Sequence, residues 1–188
     1  MKKFITMLLA AGMILAMSGC GNDEKVIGGD VSNAPGSPEQ TAGGSGNTTG
    51  QVSGKGYVFL YNGVTVSVDG DMAPVLEGLG EPVNYFEAAS CAFEGLDKTY
   101  TYGSFEIVTY PQGEKDCVST IILKDDTVST AENISIGSSR ESVTNAYGTD
   151  YTEQGSMLVY HKEGMRLCIL VENDTVTSIQ YNSTVLEE

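Results

Sequence analysis

The sequence has no tryptophan, a single histidine, and only ten Lys and Arg against 25 Asp and Glu, a formal net charge of −15 over 188 residues. Each shortage excludes something. With His161 alone, an imidazole-rich metal site cannot be assembled, and no Cys-x-x-Cys or His-x-x-x-His spacing replaces it. The deficit of positive charge argues against nucleic acid and anionic headgroups as partners, because an acidic surface repels both. No G-x-S-x-G elbow is present, and no glycine-rich stretch runs into Lys-Ser or Lys-Thr, so neither a hydrolase serine nor a phosphate cradle is indicated. No cofactor and no metal is expected. The apolar run from Phe4 to Met17 is about 14 residues, short of the roughly 20 that a bilayer-spanning helix needs.

That run follows Lys2 and Lys3 and ends in Ser18, Gly19 and Cys20, which reads as a secretory signal. The small pair before Cys20 resembles a bacterial lipobox, with Met17 where leucine is usual. The resemblance implies a signal peptide over 1–19, cleavage before Cys20, and lipidation of Cys20 as the mature N-terminus. Such proteins carry two ester-linked acyl chains, which satisfies the rule that one chain anchors only marginally. Loss of Lys2 and Lys3 with the signal leaves a net charge of about −17. The expected location is the extracytoplasmic face of the cell membrane.

Residues 21–54 hold no aromatic residue and are rich in Gly, Ser, Thr, Asn and Pro, too polar to offset the entropy of ordering. With Cys20 they are expected to form a disordered tether with an r.m.s. span of roughly 30–35 Å. The remainder, 55–188, is long enough for one domain with a substantial core. If Cys20 is lipidated, Cys91, Cys117 and Cys168 remain, an odd number that cannot all pair within the chain. Cys168 lies in LCILV and reads as a small buried hydrophobe. Export permits a disulfide between Cys91 and Cys117.

Within the domain, YVFLYNGVTVSV predicts two strands joined at Asn62 and Gly63, a pair suited to a type I′ turn. Asp71 offers an N-cap to a short helix through MAPVLEGL that Gly80 stops. NISIGSSRESVTNAYG repeats the plan, with a strand at Ile134 and Ile136, a capping box of Ser138 and Glu141, and a stop at Gly148. Superposed, Val75 matches Val143 and Gly80 matches Gly148; downstream, Tyr102 matches Tyr160, Ile107 matches Leu167, Val118 matches Val176 and Ile121 matches Ile179. The expectation is an α+β fold of two strand-helix-three-strand repeats, about 57–124 and 132–182, forming antiparallel sheet with short helices packed on one face.

A helix ending in LGEP or YGTD, followed by a meander carrying Tyr and a closing V-x-x-I, resembles the repeat of the SmpA/OmlA-type lipoproteins and of the β-lactamase inhibitor proteins. Those families usually have two helices per repeat, where only one is evident here. The run SCAFEGLDKTYTYG with FEIVTYP is similar to surface lipoproteins of anaerobic Gram-positive bacteria. Both resemblances imply protein binding or scaffolding, with no catalytic residues to carry over.

SCAFEGLDKTYTYG, from Ser90 to Gly103, also marks where the two copies differ: the first runs from Gly80 to Tyr102, the second only from Gly148 to Tyr160. The excess over Cys91 to Asp97 reads as an inserted loop and TYTY as strand. Cys91, Phe93, Glu94, Asp97, Lys98, Tyr100 and Tyr102 are therefore the candidate interaction loop and patch. Tyrosines supply contact area at little entropic cost. The function expected is a membrane-anchored, non-catalytic module that binds or scaffolds an envelope or extracellular protein. Two alternatives stand beside it: a thiol-based redox sensor or enzyme using Cys91, and an inhibitor of an envelope or secreted hydrolase.

Overall fold

Asn62 and Gly63, with φ of 50° and 80°, turn the chain between β1 (Val58–Tyr61) and β2 (Val64–Ser67), which form a two-stranded antiparallel sheet. This computed structural model describes residues 56–187. The signal peptide, Cys20 and the tether lie outside the described residues. After the hairpin come α1 (Met72–Leu79), β3 (Asn84–Ala89), β4 (Leu96–Thr101), β5 (Phe105–Gln112) and β6 (Lys115–Leu123). The second half contains α2 (Arg140–Tyr147), β7 (Thr152–Gln154), β8 (Met157–Lys162), β9 (Met165–Glu172) and β10 (Thr175–Ser183), followed by a 3-10 turn at Val185–Glu187.

Strands β3 to β10 make one antiparallel sheet in the order β3-β4-β5-β6-β10-β9-β8-β7. The expected α+β class is thus corrected to a β-rich fold, an eight-stranded sheet with a separate two-stranded one. The physical reason lies in lengths. Each helix has eight residues, about two turns, whereas most strands run six to nine. The strand-helix-three-strand unit is corrected too. Four strands follow each helix, because Asn84–Ala89 and Thr152–Gln154 pair as well, while Ile136 lies in a turn and Ile134 in no regular element.

The two halves are arranged alike about the central β6–β10 ladder. Asp71 caps α1 by accepting from the Ala73 N–H at 3.0 Å, and Ser139 caps α2 by accepting from the Ser142 N–H at 3.1 Å. The second cap falls one residue beyond the expected Ser138, whose hydroxyl instead accepts from the Ser135 N–H. Ahead of each cap the backbone is laced to the sheet's centre. Asp69 N–H donates to the Val118 carbonyl and Val118 N–H to that of Gly70; Gly137 N–H donates to the Val176 carbonyl and Val176 N–H to that of Ser138. Gly80 and Gly148, with φ of 74° and 82°, end the helices by donating to Leu76 and Thr144.

One row of side chains crosses the sheet through the cross-strand pairs Tyr85, Tyr100, Ile107, Ile121, Tyr181, Leu167 and Tyr160. All but Tyr85 are buried. The hairpin and helices add Phe59, Val66, Met72, Val75 and Val143 to the same core. Phe59 packs edge-on against Phe105 at 4.9 Å between ring centroids.

Candidate interaction surface

The sheet's two edges differ. At one end β7 is three polar residues, Thr-Glu-Gln, and its Glu153 is held by Arg140 at 2.6 Å. At the other, β3 has twice the length and reads Asn-Tyr-Phe-Glu-Ala-Ala, with every residue exposed. Val83, just ahead of it, is 76% exposed, Phe86 61%, Tyr85 46%, and Leu96 on the neighbouring strand 39%. Edge strands that are not used are ordinarily shortened, bulged, or defended by proline or lysine. Here Pro82 precedes the strand, and neither proline nor lysine lies within it.

The connection from β3 to β4, residues 90–95, folds back over the end of the sheet. Ser90 organises it: its N–H donates to the Gly95 carbonyl at 3.0 Å, and its hydroxyl accepts from the N–H groups of Ala92 and Phe93. Phe93 comes to rest with its ring 5.1 Å from that of Tyr110 on β5. Gly95 has φ of 132°, and a Cβ there would sit 2.8 Å from Pro111 Cβ, so the loop can lie this close only with glycine. The fold-back leaves a shallow cleft of about 510 Å³ lined by Phe93, Glu94, Pro111, Gln112 and Gly113. A smaller one of about 240 Å³ adjoins it and includes Leu96, Lys98 and Asp116.

Charges set the character of this end. Lys98 pairs with Asp116 at 2.7 Å and lies opposite Glu87, which accepts the Tyr85 hydroxyl. From Glu81 to Asp97 the chain carries four carboxylates and no basic residue. Burial, and then Asp116 and Glu87, push the Tyr100 phenol up to about 12, so it stays neutral.

The sequence-predicted patch divides in the structure. Phe93, Glu94 and Lys98 line the clefts. Cys91 is exposed on the loop. Asp97 is half-buried on β4 opposite Ala88, so the loop ends at Gly95 rather than Asp97. Tyr100 and Tyr102 serve the fold instead: Tyr100 is in the core, and the Tyr102 hydroxyl donates to the Gly80 carbonyl at 3.1 Å.

In this structure Cys91, Cys117 and Cys168 are free thiols. Cys117 is buried in β6 and donates its S–H to Gln112 Oε1 at 3.5 Å, while burial, with Asp71 and Asp69 adding to it, raises its pKa. Burial likewise raises the Cys168 thiol. Among the described residues no group of three or more His, Cys, Asp or Glu side chains is placed to hold a metal. His161 is exposed on β8.

Sequence reasoning missed β3 itself, together with Pro111 and Gln112. The available signal was Tyr85-Phe86, two strand-favouring aromatics between Pro82 and Ser90. Comparisons with protein-family models, curated proteins and solved structures find no match.

Proposed function

We propose that this chain is a membrane-anchored lipoprotein whose extracytoplasmic domain binds or scaffolds another protein of the envelope or its surroundings, without catalysis. The observation that carries the reading is the exposed apolar edge of β3, continuous with the loop that bears Phe93 and Glu94. Exposed large apolar residues gathered along an unpaired edge strand are a feature of interaction surfaces. The lipobox reading of Ser18 to Cys20 supplies the anchor, and the polar stretch after it supplies reach. Neither feature requires a cofactor.

Site-specific photo-crosslinking of the full-length protein in intact cells tests the proposal. A crosslinker replacing Phe86 or Phe93 should capture a discrete protein partner, and one replacing Gln154 on the opposite edge should not. Equal capture at all three positions, or none at Phe86 and Phe93, would refute it.

A further inference from the structure

We infer that β3 binds its partner by strand addition: an extended segment that alternates apolar with basic residues pairs along Asn84–Ala89 and continues the sheet. The inference rests on the protein-binding reading above and specifies its mode. Three observations carry it.

First, β3 is the terminal strand of the eight, with no further strand beyond it among the described residues, so one side of its backbone offers an open ladder. An edge of this kind templates another strand. Second, the two edges are unlike although the halves are built alike. The β7 edge is three residues long and occupied by an ion pair, whereas β3 is six residues long and retains exposed aromatics on alternate faces, Tyr85 with Tyr100 on one and Phe86 opposite Thr99 on the other. An added strand would be gripped on both faces, because its own side chains alternate in the same way.

Third, charge selects the occupant. Glu87 lies within the strand, Glu81 just ahead of it, Asp97 opposite Ala88 on β4 and Glu94 in the loop that follows, while Lys98, opposite Glu87, is already paired with Asp116. A second copy of the chain would bring these carboxylates against their counterparts. A segment bearing Lys or Arg would instead neutralise them.

Hydrogen exchange of the full-length protein in detergent tests this. The probe is a nine-residue peptide alternating lysine with valine, acetylated and amidated, compared with the same peptide N-methylated at alternate positions and with a version carrying glutamate for lysine. The lysine peptide should slow exchange of the outward-facing β3 amides, those not bonded to β4, by roughly tenfold or more and leave β7 unchanged. The N-methylated and glutamate peptides should not. Phe86→Lys should abolish the protection without shifting the thermal midpoint, since Phe86 is largely exposed.

The inference is overturned by any of four results: no protection by the lysine peptide, equal protection by the N-methylated one, undiminished binding by the Phe86→Lys protein, or outward-facing β3 amides, those not bonded to β4, already protected in the free chain. Protection in the free chain that rises with protein concentration would identify a second copy as occupant. If crosslinking at Phe86 captures a partner while β3 amides gain no protection, protein binding stands and strand addition falls.

Discussion

Tyr102 and Tyr160 perform one task in the two halves, each donating its hydroxyl at 3.1 Å to the carbonyl of the glycine that ends the preceding helix. Their match was readable in the sequence, as were the glycines, because both sit at fixed distances from recognisable helix stops. Their difference was not. In the sheet it is Tyr100, paired with Ile107, that stands where Tyr160 stands against Leu167, while Tyr102 lies just past the end of β4. A two-residue offset of this kind depends on how the chain enters the turn at Gly103, which no periodicity reports. The environments also differ: Tyr160 is 1% exposed, and the Tyr102 bond lies near solvent. Tyr160→Phe should therefore cost about 0.5–1.5 kcal/mol of stability in urea unfolding, and Tyr102→Phe clearly less. Equal losses would show that the hydroxyls are not anchoring the two helix ends in the way described.

At the scale of elements, legibility followed chemistry that is local. The β1–β2 hairpin was readable because Asn62-Gly63 demands one turn type, and the helix from Asp71 to Gly80 because its cap and stop are both present. Strand β3 was not, because an edge strand exposed on both faces has no apolar-polar alternation to betray it. Strand β7 is too short to leave a pattern. The candidate site inherits this limit: its loop was found through the unequal spacing of the two copies, and its strand was missed. The β1–β2 hairpin is more than a decoration on the sheet, since Phe59 is fully buried between Phe105 and Tyr181. Phe59→Ala should lower stability by about 3–5 kcal/mol, measured by denaturant unfolding. A loss near that of an exposed substitution, within about 0.5 kcal/mol, would mean that the hairpin is not part of the core.

For the molecule as a whole, the sequence suggested a duplicated plan but weighted its helices too heavily. Helix signals are concentrated in caps and stops, whereas a broad sheet is assembled from pairings between short segments that each look unremarkable. The burial of tyrosine across this sheet has a consequence for pH. Desolvation is the leading cause that raises Tyr100 and Tyr160 to about 12, and Tyr147 and Tyr181 rise as well. In the unfolded chain these phenols ionise near 10. The folded state thus holds protons that the unfolded state releases, and the stabilisation is complete below pH 10 and lost as pH rises from 10 through 12. Stability followed by urea unfolding should therefore fall steeply above pH 10, with the tyrosinate absorbance of these four phenols appearing together with unfolding rather than before it. The absence of tryptophan leaves that absorbance uncontaminated. Full tyrosinate absorbance with the fold intact would contradict the burial described.

The strand order carries a consequence for how the chain assembles. Among the described residues, every ladder but one joins strands that are consecutive along the chain, so each of these can close as a hairpin over a short loop. Of these ladders, the β6–β10 seam, from Leu123 with Ile179 to Thr120 with Asn182, is the one that unites distant stretches. Because closure entropy grows with the length of chain enclosed, the search for that seam is the slow step in forming the sheet, and the two four-stranded meanders are the pieces that must find one another.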